Sequence, residues 1–509
     1  MKGAGTRNRA DGRVAVPGSA EIDGAGYAAV RETHTSVLFL VGDRVHKMKK
    51  PLDLGFLDNR TRAARERACH REVDLNRRMS PDVYLGVADV HGPDGKVCEH
   101  LVEMVRLPDD RRLAMLARRG DQIDPILESV ARQVARLHAS SPRDAAIDRC
   151  ASADFLSNLW ASSLDHLERL PVGIRAASAL ARIRTAATRY IEGRTPLFAA
   201  RIEAGRAVDG HGDLLADDIF CLDDGPRIID CLEFDDELRY GDGLLDIAFL
   251  AMDLERTGAE GAARNLLRSY AVATGDEPPR SLVHHYIAYR ALVRAKVTAL
   301  RHEQGDEASG AVAMEFLAQV ERHLERARVR LVLVGGVAGT GKSTLSRTIG
   351  GYLGASVLRS DVIRKELAGI GPTDRTCDDV DSGLYSSAHT HATYEEMMAR
   401  ASAELAHGRS VVLDATWLSE AQRVRAREVA VAATAETVEI ECRADPAVLV
   451  HRIRARAERD DDPSDATPAV LAAQLDRRDE WPAAVVVDTT GPGAVDDAWS
   501  ERELGLAPW

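Results

Sequence analysis

Long apolar stretches are missing from this chain. Nowhere do eighteen apolar residues run together, which excludes a membrane-spanning helix. The first 25 residues are rich in Gly, Ala and Arg and hold no apolar segment of a secretory signal, so a soluble, cytoplasmic protein without membrane partners is expected. Cysteine is sparse: seven residues (69, 98, 150, 221, 231, 377 and 442) form no C-x-x-C pair and no Cys/His cluster. That spacing argues against a zinc site or a disulfide framework and for a reducing compartment. Aromatic residues make up 5%, too few for base-stacking platforms, and a formal charge of −13 argues against general nucleic-acid binding. No G-x-G-x-x-G occurs and no flexible linker divides the 509 residues, a length that suggests roughly three domains or lobes.

What is present is phosphate chemistry. Gly336-Val-Ala-Gly339-Thr-Gly341-Lys342-Ser343 reads G-x-x-x-x-G-K-S between the apolar run Leu331–Val334 and a helical stretch beginning with Thr344. Gly336, Gly339 and Gly341 let backbone N–H groups approach phosphate oxygens, Lys342 can reach the β- and γ-phosphates, and Ser343 can ligate Mg²⁺. The helix start, with Thr344 in its first turn, favours the anion.

Upstream, β-like runs at 27–33, 37–41 and 44–49 form an antiparallel meander, a charged helix covers 62–79, and strands follow at 83–90 and 97–105. Helical periodicity covers 123–139, 151–170 and 174–204, yields to a β-rich interlude at 209–235, and resumes at 244–254, 259–272, 281–301 and 313–327. Strands at 330–334, 356–359, 410–413, 437–442 and 484–487 then alternate with helices, the mark of a parallel α/β sheet.

The interlude holds His211-Gly212-Asp213, then Asp217-Asp218, a glycine-containing hairpin, and Arg227-Ile-Ile-Asp230. An acid that accepts a hydroxyl proton, an oxygen ligand five residues on, and a third acid after a hairpin suit Mg-ATP phosphoryl transfer. These residues resemble the aminoglycoside phosphotransferase family of kinase-like folds. The resemblance implies Asp213 as catalytic base, Asp230 as the main Mg²⁺ ligand, and Asp218 as the second, where the family has Asn. Glu233 and Asp235 are further acids close behind, and Asp246 matches the family's buried Asp that braces the catalytic loop. A strand lysine and a helix glutamate should pair beneath the α/β-phosphates. Alignment on Pro51 favours Lys49; Lys47, on the same strand face, is the alternative, and Glu72 is the partner ahead of Glu66. Glu103 and Val105 would lie in the hinge whose backbone meets adenine, and the 33–36 turn would cover the phosphates. Arg290 and Arg294, one helical turn apart, are candidates for a substrate or interdomain role.

After the P-loop, Asp361 ends a strand and opens a helix that carries Arg364 at i+3. Asp361 can deprotonate an acceptor hydroxyl while Arg364 holds an anionic group of that acceptor. Asp414 closes the apolar run Val411–Leu413 as a Walker-B-like or substrate-orienting acid, and Thr416 is a candidate for substrate contact. This part resembles the P-loop small-molecule and polynucleotide kinases, gluconate-kinase-like and zeta-toxin-like proteins among them. By that resemblance Arg452 and Arg456 lie in a mobile lid with 460–466 and point at ATP phosphates on closure.

The expected architecture is a tail (1–25), a bilobal protein-kinase-like fold with an N-lobe (26–107) and a helical C-lobe (108–328), and a P-loop NTPase fold with a parallel sheet (329–509). The combination is similar to bacterial proteins described as bifunctional aminoglycoside phosphotransferase/ATP-binding proteins. It implies a bifunctional ATP- and Mg²⁺-dependent phosphotransferase acting on small-molecule hydroxyl acceptors. The alternatives are one active kinase half with the other an ATP-binding regulatory module, or a toxin-like kinase in the C-terminal half.

Overall fold

The computed structural model describes residues 28–33, 35–53, 58–371, 374, 383–457 and 467–491. His34, the 460–466 stretch of the expected lid and Cys377 lie outside them, as does the side chain of Arg456. These residues form two compact units: one runs to Arg119 and adds Asp217–Asp236, the other comprises Gly120–Ala216 and the chain from Glu237 onward.

In the first unit five antiparallel strands lie in the order Ala28–Glu32, Ser36–Val41, Arg44–Lys49, Val97–Val105, Tyr84–His91. Strand alternation sends Lys47 and Lys49 to the same face. The helix Arg62–Arg77 covers the sheet; its first turn is capped by Thr61, whose hydroxyl accepts the Ala64 N–H. Cys69 and Val73 on that helix meet Val83, Tyr84, Val102 and Met104 in a buried core. Each fully buried side chain of this kind contributes roughly 1.5–3 kcal/mol.

The hairpin Ile219–Leu222/Gly225–Ile228 belongs to this unit, which departs from the expected unbroken C-lobe over 108–328. Ile229 joins the core of the first sheet, and the Ser80 hydroxyl donates to Ile228 O (2.8 Å) and accepts the Ile228 N–H (3.0 Å). Arg111 Nε adds a bond to Cys221 O at 2.7 Å. These are contacts between residues more than a hundred apart in sequence, so local periodicity carries no trace of them.

The second unit contains most of the helices and a parallel sheet. The 24-residue helix Arg280–Glu303 packs between Gly243–Arg256 and Glu307–Arg326. A single helix is expected over 174–204; three form instead, Pro171–Arg175, Ala177–Glu192 and Thr195–Glu203. The last break falls at Gly193, where an added Cβ would sit 2.8 Å from Ala433 O, and Arg194 Nη1 donates to the same carbonyl at 2.5 Å. Close approach of the P-loop part ends the helix, and Pro196 fits the first turn of the next one.

The sheet order is Ser356–Arg359, Val411–Asp414, Arg330–Gly335, Glu436–Arg443, Val485–Asp488, parallel throughout. Leu331 to Val334 are wholly buried, as both faces of a central parallel strand should be. Leu345 and Ile349 of the helix Lys342–Leu353 close one face. The fold is therefore protein-kinase-like in its first part and a P-loop NTPase in its last. The helical part and the P-loop part fall in one compact unit, joined for instance by Ser281 Oγ donating to Gly408 O at 2.6 Å. No described helix is long and apolar enough to cross a membrane.

Candidate active sites

In the first unit, Lys47 Nζ lies 2.9 Å from Glu72 Oε1 and 2.6 Å from Asp230 Oδ1. Lys49 Nζ lies 2.5 Å from Glu72 Oε2 and also pairs with Glu233. Glu72 thus serves both lysines, and the choice between them does not arise; Glu66 faces His100 instead, at 3.7 Å. Burial alone would push both ammonium groups down. Asp230 and Glu72 outweigh it at Lys47, and Glu72 and Glu233 at Lys49, so both pKa values are raised. Burial likewise opposes ionisation of Glu72, yet Lys47 and Lys49 hold its carboxyl below the ordinary range.

Asp230 has φ of +66°, a left-handed backbone that non-glycine residues seldom take. The Tyr84 hydroxyl accepts its N–H at 3.1 Å, and Asn76 Oδ1 accepts that of Cys231 at 2.9 Å. Asp218 ends a short 3₁₀ turn, and its carbonyl accepts the Ile229 N–H at 3.0 Å. The hinge expectation changes here. Val105 donates its N–H to Val83 O at 2.9 Å, because the sheet bonding continues to the strand's last residue, and Glu103 lies mid-ladder opposite His46. The Val105 N–H is thus taken up by the sheet and is not the group that would meet adenine.

In the second unit, the loop His211–Asp213 is held by one buried carboxylate. Asp246 accepts the N–H of His211 (2.7 Å) and of Gly212 (2.9 Å), while His138 Nε2 lies 3.1 Å from its Oδ2. Burial pushes the Asp246 carboxyl up, but the His138 bond, with His211 and Arg290 nearby, takes it well below the ordinary range. Asp246 is the loop's brace, as the resemblance implied. Arg290, a candidate for substrate contact, instead donates to Gly212 O (3.3 Å) and Leu245 O (3.1 Å). It is 7% exposed, so it positions the loop and is closed to an acceptor. Asp213 is half-buried and close enough to Arg301 to favour that residue's charge.

At the P-loop the glycines follow the geometry the motif demands: φ is +140° at Gly336, +85° at Gly339 and +82° at Gly341. A Cβ at Gly336 would lie 2.6 Å from Cys442 O, and one at Gly339 2.9 Å from Leu449 O. Lys342, Ser343 and Thr344 open the following helix, whose first N–H groups face the loop. Asp414, 3% exposed at the end of its strand, receives Arg359 Nε on Oδ2 at 3.2 Å. Arg359 Nη2 also donates to Ser343 Oγ at 3.4 Å. Burial raises the Asp414 pKa against the pull of Lys342, the Ser343 hydroxyl and Arg359. Arg452 donates to Gly339 O (3.3 Å) and Thr489 O (2.7 Å), so its guanidinium is fastened to the loop backbone.

Asp361 lies half-buried in the first turn of Ser360–Leu367. Arg364 departs from its expected role: it is 7% exposed, donates to Leu384 O (2.8 Å) and Thr390 Oγ1 (3.0 Å), and stacks on Tyr385. It fixes the wall beside Asp361. Tyr394 was not singled out from the sequence; it lies 3.4 Å from Thr416 Oγ1 and within electrostatic reach of Asp361 and Arg364. Its only sequence signal is a tyrosine on an amphipathic helix, which core packing explains equally well.

Among the described residues no three His, Cys, Asp or Glu side chains converge as an all-protein metal cage. Mg²⁺ binds through one or two carboxylates plus phosphate oxygens, so none is needed. Two observations fit such an ion. The Lys47 cluster sets two ammonium groups against three carboxylates, those of Glu72, Asp230 and Glu233. At the P-loop, Asp414 Oδ1 is buried with no hydrogen-bond partner among the described residues.

The AAA domain family matches residues 331–481, the stretch from the P-loop strand to Trp481. Among solved structures, the GDP and kanamycin complex of APH(2")-IIia is 16% identical and covers 59% of this chain and 95% of that one, with a TM-score of 0.38. A gluconokinase from Sinorhizobium meliloti 1021 is 22% identical and covers 32% of this chain and 84% of that one, with a TM-score of 0.23. The fold assignment rests on the topology above. "Uncharacterized protein Rv2004c" of Mycobacterium tuberculosis is 42% identical over 478 residues, 94% of each chain. At that identity over nearly the whole length of both, the chain belongs to the same family as mycobacterial Rv2004c.

Proposed function

We propose that the protein is a bifunctional ATP-dependent phosphotransferase, each half moving the γ-phosphate of ATP to a hydroxyl of a small-molecule acceptor, sugar, aminoglycoside-like or nucleotide-like. The observation that supports this reading is that the residue types phosphoryl transfer needs occur in separate constellations of one chain. The first unit has the Lys47/Lys49–Glu72–Asp230 cluster; the second has the glycine loop with Lys342 and Asp414 and, apart from it, the His211–Asp213 loop held by Asp246.

In the first half Asp213 accepts the proton of the acceptor hydroxyl and Lys47, charged by its carboxylate partners, holds phosphate oxygens, while Lys49, 2% exposed, keeps Glu72 and Glu233 in place. In the second half Asp361 has the corresponding role, Lys342 and the loop N–H groups bind the phosphates, and Arg452 keeps the loop in shape. Mg²⁺, which neutralises charge on β- and γ-phosphate oxygens, would be held by Asp230 and Asp218 in one half and by Ser343 with Asp414 in the other.

The test uses the full-length chain with Asp213→Asn and Lys342→Ala introduced separately, measuring ADP release against a panel of sugars, aminoglycosides and nucleosides. Each substitution should abolish one set of acceptors and spare the other. A second reading, in which one half is an ATP-binding regulator, is favoured by Asp218 standing where the resemblance expects Asn and by the Arg194 bond to the P-loop part. It requires that one of the two substitutions alter only the ATP dependence of a single activity. If neither variant changes ADP release with any acceptor, both readings fail.

A further inference from the structure

Away from both constellations, the second unit contains a cavity of about 280 Å³ whose charged wall is almost entirely arginine. Arg280, Arg326, Arg328, Arg330 and Arg409 line it, against the single carboxylate of Glu277. They come from separate pieces of backbone. Arg280 opens the helix Arg280–Glu303, Arg326 ends the helix Glu307–Arg326, Arg328 and Arg330 lie in the junction feeding the P-loop strand, and Arg409 precedes the strand Val411–Asp414.

Like charges brought together from distant segments repel, so such convergence needs an offsetting anion. Part of the offset is internal. Glu325 and Glu436 hold Arg328 (2.8 and 2.6 Å) and Arg330 (2.9 and 3.2 Å) as oriented donors. Arg409 pairs with Glu404 at the longer distance of 3.9 Å, and the guanidinium of Arg280 lies beside Gly354, where a Cβ would meet its Cζ at 2.8 Å. The local field is visible in a neighbour: burial first, then His323, Arg326 and Arg280, keep the wall residue His284 neutral far below the usual histidine range. The helix beginning at Arg280 has no side-chain cap, so its first N–H groups add partial positive charge at the same place.

We propose that this cavity binds a small phosphate-bearing anion, of the size of inorganic phosphate, pyrophosphate or a sugar phosphate, at a site distinct from the P-loop. Forked guanidinium groups match phosphate oxygens two at a time, and about 280 Å³ lies at the lower edge of small-molecule pockets, which favours a compact ligand. The location gives the site a consequence. Gly354 ends the helix that the P-loop begins, and the helix opened by Arg280 carries Arg290, which fixes Gly212 of the His211–Asp213 loop. An anion here would brace the shared support of the P-loop and that loop. The site stands on its own geometry and does not depend on either half being a kinase.

The test is magnesium-free calorimetric titration of full-length Lys342→Ala protein with pyrophosphate, inorganic phosphate and a sugar monophosphate as separate probes. The Lys342 substitution weakens the P-loop as a competing site. At least one probe should bind, and adding Arg280→Ala with Arg409→Ala should weaken it by about tenfold or more, the loss expected for two charge-assisted contacts. The strongest of the three identifies the chemical source. Arg409→Ala alone decides the matter should the paired change destabilise the fold, since Arg409 is exposed. Binding untouched by the arginine changes, or no binding of any probe at millimolar concentration, overturns the proposal.

Discussion

Around Lys47 the protein holds charge with charge, whereas at Gly336–Ser343 it relies on main-chain geometry. Five ionised side chains from one strand, a helix and the segment after a hairpin offset one another in the first region. In the second, three glycines in left-handed conformations arrange N–H donors that carry no formal charge and never titrate. The first design is costly to desolvate and sensitive to loss of any member. The second is set by backbone conformation and is intolerant of a single added methyl group.

Four experiments would break or sharpen this contrast. Asp213→Asn should lower turnover in the first half by about 10²–10⁴-fold, the usual worth of a general base, with the second half unaffected in an acceptor-resolved ADP-release assay. Glu72→Gln should cost about 3–5 kcal/mol in urea denaturation, because one buried and one half-buried ammonium group lose their shared carboxylate. An equally large cost for Lys342→Ala, whose side chain is only half-buried, would erase the distinction between the two designs.

Gly336→Ala should cost about 1–3 kcal/mol through its backbone conformation alone, and more if Cys442 O cannot move, as read by the shift in denaturation midpoint. The smallest effect is one of pH. Glu72 and Asp246 have folded-state pKa values below the ordinary carboxylate range, so their contribution is complete above it and is lost as pH falls towards the folded values. Thermal midpoints measured downward from about pH 6 should decline in the wild type and decline less steeply in Asp246→Asn. Parallel curves would remove Asp246 from the acid-sensitive set.

The contrast also explains what the sequence made legible. The P-loop is local: eight consecutive residues carry both the chemistry and the backbone requirement, so Gly336 to Ser343 were identifiable without tertiary information. Glu72 was legible because it precedes apolar helix positions that had to face the sheet. Lys47 and Lys49 could not be ranked, since strand alternation gives them one face and the structure gives them one partner. Arg290, Arg359 and Arg364 were invisible in their actual roles, because an arginine on a helix or strand end carries no local sign of which distant carbonyl or carboxylate it will meet. The same holds for the helix break at Gly193, enforced by Ala433 and Thr434 some 240 residues later. That the Val105 N–H is taken by Val83 O was illegible for a related reason: this pairing is a tertiary fact.

The helix Arg280–Glu303 extends about 36 Å at the usual rise per residue. Near its start Ser281 is fastened to the Gly408 carbonyl, and farther along Arg290 is fastened to Gly212. One rod therefore holds both the His211–Asp213 loop and the P-loop part. Cutting the chain just ahead of the P-loop would leave that helix its hold on Gly212 but take away its Gly408 partner, and would leave the Gly408 carbonyl without the Ser281 hydroxyl. The fit of one helix thus ties the P-loop part to the loop that Arg290 holds.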